Sequence, residues 1–170
     1  KITQTERPIL LKEISEALPQ MEAQVGRKLK PLKLYTHNPT PFLPKVENMG
    51  TIHYMKEMPL VFRHSKINLN ITLRSIINGI PLRAIDIMGA GGFLLTNYQN
   101  DFQYHFEDGK DYVSFYSKED MLNKIAYYLE HEDERKQIAH NGQEKVCKEH
   151  TYDIHLKEML DLVFDHTDPF

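Results

Sequence analysis

Short apolar runs alternate with amphipathic helical patterns along the chain. The apolar runs predict five strands, at residues 32–36, 50–54, 66–72, 92–97 and 112–116. The helical patterns repeat apolar side chains at spacings of three and four: Leu10, Ile14, Ala17 and Leu18; Met58, Val61 and Phe62; Leu122, Ile125, Ala126 and Leu129. Such alternation is typical of βαβ units, so we expect an α/β fold, with a Rossmann-like parallel sheet and helices on both faces.

Capping residues and prolines set the limits of the predicted elements. Ser117 is the expected N-cap of a helix that ends near residue 130, with Asp120 at its third position. Two more helices, at about 133–149 and 151–164, close the chain as a helical pair because no strand pattern separates them. The prolines of segment 36–46 predict an irregular loop, since proline removes a hydrogen-bond donor and restricts the residue before it.

Length, charge and cysteine content narrow the classes of protein. A chain of 170 residues fits one domain. The net charge of −3 argues against a nucleic-acid partner, because proteins that bind nucleic acids usually present a strongly basic face. No apolar run reaches the ~18 residues of a membrane-spanning helix, and Cys147 is the only cysteine, so we expect a soluble protein of the reducing cytoplasm. The chain begins at Lys1 rather than at a methionine, which indicates a fragment of a larger protein.

The motifs of several common enzyme classes are absent. The nine histidines include no HExxH pair, and His150 and His155, five residues apart, are expected on different helical faces, so no metal site is predicted. No serine lies in a G-x-S-x-G elbow. The glycines at 89–92 follow a predicted helix and precede a strand, which is the reverse of a dinucleotide-binding loop. They predict a helix C-cap instead.

Two asparagines interrupt the apolar pattern of the strand at 66–72. Asn68 and Asn70 share one face, because side chains alternate along a strand. A buried amide needs hydrogen-bond partners, and two interpretations remain open. Either the amides hold neighbouring loops in place, or Asn70, nearest the carboxyl end of the strand, faces a ligand crevice, where open α/β sheets bind their ligands.

A polar turn and a helix start follow that strand. Asn78 and Gly79 predict a turn, and Pro81 suits the first position of a helix that runs to about residue 88. Arg83 and Asp86 are three residues apart and lie on one face of this helix. They either form a surface ion pair or, because an arginine opposes the dipole at a helix start, Arg83 shares its site with an anion.

Three blocks of the chain resemble bacterial glycosyltransferases of the spore-maturation CgeB type. They are residues 67–71, residues 79–97, and residues 134–139 together with 149–152. The similarity runs from Thr3 to about Leu160. It implies the C-terminal, nucleotide-sugar-binding domain of a GT-B glycosyltransferase, an enzyme in which two Rossmann-like domains face a cleft. Residues 1–170 are thus expected to form a single donor-binding domain, and its partner, an N-terminal domain of the same protein, is expected outside this sequence.

The resemblance also implies roles for particular residues. Asp86 takes the place of a glutamate that holds the ribose hydroxyls of the sugar nucleotide in related enzymes, and its two oxygens suit a vicinal diol. Asn78 takes the place of a second acid near the donor sugar, where an amide can bind hydroxyls but cannot act as a base. Relatives hold the diphosphate with a basic pair, for which Arg7 is the only candidate here. Arg83 and the helix that begins at Pro81 are therefore expected to share that role.

The expected donor-binding residues are Asn70, Asn78, Gly79, Arg83 and Asp86, with Asn70, Asn78 and Arg83 in one pocket at the carboxyl edge of the sheet. The resemblance implies no metal and no cofactor besides the nucleotide-diphosphate sugar, which is the donor substrate. The expected function is transfer of this sugar to an unknown acceptor, with any catalytic base in the N-terminal domain. Because Asn78 and Asp86 depart from the family's acids, a noncatalytic nucleotide- or partner-binding module remains the alternative.

Overall fold

A computed structural model of the chain describes residues 6–36, 43–72 and 78–164. Within these residues the strands are β1 (Leu32–Tyr35), β2 (Val46–Gly50), β3 (Asn68–Asn70), β4 (Leu94–Asn97) and β5 (Val113–Phe115). The helices are α1 (Glu6–Val25), α2 (Met58–His64), α3 (Leu82–Gly89), α4 (Lys118–Glu130), α5 (Glu132–Glu149) and α6 (Tyr152–Phe164), and a 3₁₀ helix spans Asn100–Tyr104. None of the helices described here is long and apolar enough to cross a lipid bilayer.

The strands form two parallel sheets. β1 pairs with β2, with Leu32 opposite Val46. β3, β4 and β5 form a three-stranded sheet in that order, with Asn68 opposite Leu94 and Leu95 opposite Val113. The α/β class with parallel strands is therefore confirmed, and the described strands lie in two sheets where one was expected.

Strand β4 lies at the centre of the larger sheet and gives it two buried faces. All four of its residues are buried. Leu95 packs against residues of α1, α4 and α5, whereas Leu94 packs against residues of α2 and α3. Since neighbouring side chains of a strand point to opposite faces, helices cover both sides of this sheet, as the sequence pattern predicts.

Strand β2 lies earlier in the chain than the apolar pattern predicts, and the predicted strand at 50–54 is wrong. Gly50 ends β2 with a positive φ of 72°. After it, the carbonyl of His53 accepts hydrogen bonds from the backbone N–H groups of Glu57 and Met58, at 2.9 and 3.2 Å, so the chain turns into α2. The three central residues of β2 are exposed and therefore carry no alternating pattern. Most of the loop predicted at 36–46 lies outside the described residues, and its last residue belongs to β2.

The predicted helix limits are close to those observed. Ser117 caps α4, because its hydroxyl accepts a hydrogen bond of 3.1 Å from the backbone N–H of Asp120. Pro81 is the N-cap of α3, so the helix begins one residue later than predicted. The predicted C-cap after α3 is confirmed, since Gly91 has a φ of 79° and donates its N–H to the carbonyl of Met88 at 2.8 Å.

Gly92 allows three segments to pack closely. A Cβ at this position would lie 2.8 Å from the backbone oxygen of Phe62 and 2.7 Å from the side-chain nitrogen of Asn68. Because real Cβ atoms do not approach other atoms so closely, only glycine lets the end of α2 lie against the entry to β4. This contact places α2 beside α3 and β3.

His150 and His155 lie together, contrary to the expectation from their spacing. His150 is the C-cap of α5, so the two residues do not share one helix and its periodicity does not apply. Their Nδ1 and Nε2 atoms are 3.3 Å apart. Burial, and then the neighbouring His105 and His155, lower the pKa of His150 below its ordinary value. These three histidines line an open groove of about 390 Å³ between the ends of α5 and α6. In the described part of the chain, no three His, Cys, Asp or Glu side chains, these histidines included, are placed so that they could hold a metal ion together.

Candidate functional site

Asparagine side chains link the carboxyl ends of β3 and β4. Asn70 ends β3, and its Nδ2 lies 3.2 Å from Oγ1 of Thr96 and 3.3 Å from Oγ1 of Thr72. Asn97 ends β4, where its Oδ1 accepts a hydrogen bond of 2.7 Å from the backbone N–H of Thr72. These bonds join the two strand ends and place polar side chains, most of them buried, at the carboxyl edge of the sheet.

Asn68 has a structural role at the opposite end of β3. It is buried, and its Nδ2 donates to the backbone oxygens of Phe62 at 2.9 Å and Phe93 at 3.3 Å. The interpretation that the asparagines hold neighbouring segments therefore describes Asn68 fully. It also describes the amide nitrogen of Asn70, which is only half-buried at the strand end.

The turn before α3 brings an additional carboxylate to this edge. Asn78 is exposed, and Gly79 has a φ of 89°, which fits the predicted turn. The backbone N–H of Gly79 donates a hydrogen bond to the carboxylate of Asp101, in the 3₁₀ helix after β4. Residues 73–77, between β3 and this turn, lie outside the described residues.

Arg83 and Asp86, which both lie in the described part of the chain, do not form an ion pair. The Arg83 guanidinium lies over the ring of Phe62, with its central carbon 5.8 Å from the ring centroid. The Asp86 carboxylate accepts a hydrogen bond of 2.5 Å from the Tyr54 hydroxyl. The expected ion pair between Arg83 and Asp86 is therefore absent. Arg83 contacts Phe62 instead, and Asp86 contacts the Tyr54 hydroxyl.

Tyr54 joins a third segment to this region. It lies between β2 and α2, and its side chain is 44% exposed. The hydrogen bond to Asp86, followed by desolvation, raises the pKa of Tyr54 to about 12. The hydrogen bond therefore brings the segment after β2 to helix α3.

The five residues expected to bind the donor contact different parts of the structure. Among the described residues, no hydrogen bond joins two members of the set Asn70, Asn78, Gly79, Arg83 and Asp86. Asn70 contacts β4, Gly79 contacts the segment after β4, and Asp86 contacts the segment after β2. The meeting of Asn70, Asn78 and Arg83 in one pocket remains a prediction, as do the roles of all five residues. The side chain of Arg7, the other expected phosphate ligand, lies outside the described side chains.

Sequence reasoning missed Tyr54 and Asp101. Tyr54 was placed in a predicted strand, and its contact with Asp86 spans 32 positions of the chain. Asp101 contacts Gly79 across 22 positions. No local pattern indicates such partners. The sequence offered a signal for Asp101, because it follows soon after the strand predicted at 92–97, and parallel sheets present their carboxyl ends in that position. It offered none for Tyr54.

Parallel strands with helices on both faces and a polar carboxyl edge define a Rossmann-like α/β domain. Residues 7–161 match a family model described as glycosyl transferase-like, and the chain belongs to that family. No curated protein gives a significant match to the chain.

Two solved structures have the same fold. The crystal structure of TarM matches with a TM-score of 0.71 and 14% sequence identity, over 96% of this chain and 34% of TarM. Anabaena HepE, solved in complex with UDP and glucose, matches with a TM-score of 0.57 and 13% identity, over 70% of this chain and 32% of HepE. The chain thus corresponds to about a third of the length of each protein (34% and 32%). Both matches are GT-B glycosyltransferase structures, and they identify the fold of this chain.

Proposed function

We propose that the chain binds the nucleotide-diphosphate sugar of a glycosyltransferase, and that the complete enzyme transfers the sugar to an acceptor. The observation that carries the proposal is the Asp86 carboxylate, which belongs to a partly buried residue of α3 and already accepts a hydroxyl hydrogen from Tyr54 at 2.5 Å. An ionised carboxylate has about four acceptor positions. Asp86 therefore has the capacity to accept both hydroxyls of a ribose diol while it remains bonded to Tyr54.

Cationic and N–H groups at the start of α3 are the proposed diphosphate ligands. Arg83 is exposed in the first turn, where the helix dipole also favours an anion. The N–H of Gly79 now donates to Asp101, and a phosphate oxygen would replace that carboxylate. Donors in these positions would stabilise the negative charge that develops on the departing diphosphate. Asn70 and Asn78 supply amides for sugar hydroxyls.

The finer identity proposed is a bacterial, cytoplasmic glycosyltransferase of the CgeB type. Its support is the resemblance of the blocks at 67–71 and 79–97. In this proposal an N-terminal domain of the same protein supplies the acceptor site, and the donor requires no metal. HepE was solved with UDP and glucose, so a UDP-sugar is the first donor to test.

A thermal-shift panel of UDP-, GDP-, ADP- and TDP-sugars tests the proposal. A ligand at 100 times its Kd stabilises a protein by about 2.7 kcal/mol, which raises the Tm of a domain this size by roughly 5–10 °C. We expect one donor of the panel to give such a shift, and we expect the isolated chain to leave that donor intact. Absence of a shift with every donor at millimolar concentration contradicts donor binding, and robust sugar transfer by the isolated chain contradicts the division of roles between two domains.

The alternative is a noncatalytic module that binds a nucleotide or a protein partner. Asn78 favours it, because an amide at the position of the family's acid cannot act as a base. Donor turnover by the full-length protein separates the two functions. A binding module would show saturable donor binding with neither hydrolysis nor transfer.

A further inference from the structure

The contact between Tyr54 and Asp86 joins two elements that are distant in sequence. The Tyr54 hydroxyl donates to Oδ2 of Asp86 at 2.5 Å, so the other carboxylate oxygen is left for a different donor. Asp86 has an arginine three residues earlier on its own helix, yet that arginine packs over Phe62. The Asp86 carboxylate is therefore bound by the Tyr54 hydroxyl and does not pair with Arg83.

Local hydrogen bonds hold the segment that carries Tyr54. The preceding residue, His53, accepts from the backbone N–H groups of Glu57 and Met58 at 2.9 and 3.2 Å, and its own N–H donates to Oε2 of Glu57 at 2.6 Å. Nδ1 of His53 also accepts from the N–H of Lys56 at 3.2 Å. Tyr54 thus extends from a turn whose backbone is held by hydrogen bonds other than the contact with Asp86.

The ring of Tyr54 is open to solvent while its hydroxyl is engaged. The residue is 44% exposed. An exposed aromatic ring beside a hydrogen-bonded carboxylate suits a nucleoside, which has one flat apolar part and one diol.

We propose that Tyr54 is a positioning residue of the nucleoside subsite, which holds the Asp86 carboxylate in the orientation that accepts a ribose diol. This inference rests on the proposed function. The phenol occupies one acceptor position of the carboxylate, and the remaining positions accept the 2′- and 3′-hydroxyls.

A different role for the same contact gives the opposite result. If Tyr54 competed with the diol for Asp86, ligand binding would have to break the hydrogen bond. Removal of the hydroxyl would then strengthen binding. Under the positioning role, its removal weakens binding, because the carboxylate is no longer held in one orientation.

Calorimetric titration with UDP and with 2′,3′-dideoxyuridine diphosphate tests the proposal on three proteins: the wild type, Tyr54→Phe and Tyr104→Phe. Tyr104 is 71% exposed in the 3₁₀ helix and provides a matched control. We expect Tyr54→Phe to weaken UDP binding about five- to tenfold. It should leave binding of the dideoxy compound unchanged, because this ligand has no diol, and Tyr104→Phe should behave as the wild type. In a background of Asp86→Asn, Tyr54→Phe should have no further effect on UDP binding.

The outcomes separate this inference from the function on which it rests. If the wild type binds neither UDP nor another nucleoside diphosphate, the proposed function fails and the inference with it. If the wild type prefers UDP over its dideoxy form but Tyr54→Phe binds UDP equally well or more tightly, the positioning role alone is overturned.

A ligand-free readout checks the same contact. Ultraviolet titration compares phenol ionisation in the wild type and in Asp86→Asn. The carboxylate raises the pKa of Tyr54 to about 12, so its replacement should bring one additional phenol into ionisation near the ordinary value of about 10. Identical titration curves for the two proteins would show that the hydrogen bond is absent in solution and would overturn the inference.

Discussion

Replacement of Asp86 with asparagine should lower the affinity for a nucleoside diphosphate about ten- to a hundredfold, or roughly 1.5–3 kcal/mol, and leave the fold intact. The reason is that asparagine keeps the shape of the side chain but loses the charge that strengthens hydrogen bonds from the ribose hydroxyls. Asp86 is partly buried and lies outside the apolar core, and its carboxylate accepts a hydrogen bond from Tyr54. Its loss should therefore affect the ligand more than the core.

Calorimetric titration with UDP and 2′,3′-dideoxyuridine diphosphate measures this effect and its origin. The loss should largely disappear for the dideoxy compound, which has no diol. Asp133→Asn, at an exposed position in the first turn of α5, is the control for the charge change. If Asp86 has only a surface role, its replacement changes stability by less than about 1 kcal/mol and leaves UDP affinity equal to that of the wild type. That result would remove Asp86 from the site.

Gly142→Ala should destabilise the chain by about 3 kcal/mol, at the upper end of the range for overpacking. A Cβ at this position of α5 would lie 2.3 Å from the backbone oxygen of Asp111, which cannot rotate away as a side chain could. The flanking residues strengthen the same approach: Asn141 donates to the Lys110 oxygen at 3.0 Å, and Lys145 contacts the Asp111 carboxylate at 3.3 Å. The close packing of α5 against the entry to β5 thus depends on glycine.

Urea unfolding of Gly142→Ala and Gly89→Ala measures this dependence. A Cβ at Gly89 would meet only a side-chain atom of Val146, at 3.3 Å, so its cost should be much smaller. In an unobstructed helix, alanine is more favourable than glycine by about 1 kcal/mol. Stabilisation by Gly142→Ala would therefore show that α5 lies farther from Asp111 than described.

Burial makes β4 and β5 directly visible in the sequence. β4 and β5 are buried at every position, so their apolar runs indicate them directly. β2 has three exposed residues at its centre and is stabilised by backbone pairing with β1, which leaves no apolar pattern. The β-rich residues 50–54 predict a strand in its place, because hydrogen-bond pairing between distant segments is not visible in a single sequence.

The candidate site was predictable in its position along the chain and unpredictable in its contacts. Polar residues at the end of β3 and the start of α3 indicated the carboxyl edge of the sheet, and Asn70 lies there. The hydroxyl partner of Asp86 comes from a segment 32 residues away. The apparent pair of Arg83 and Asp86 followed from helical spacing alone, but a nearby aromatic ring and a phenol provide other partners. Helical spacing predicts which residues share a face of the helix, but it does not predict which other residues contact that face.

The most direct test of the proposed function is an NMR titration of the isotope-labelled chain with UDP, in which backbone amide shifts map the bound nucleotide. Donor binding at the carboxyl edge predicts that the largest changes occur at Asn70, Gly79, Arg83 and Asp86, with a smaller change at Tyr54. A groove lined by His105, His150 and His155 lies between the end of α5 and the start of α6 and offers a different location for a ligand. Largest changes at those three histidines, or no changes at millimolar UDP and at millimolar GDP, ADP and TDP, would contradict nucleotide binding at the carboxyl edge.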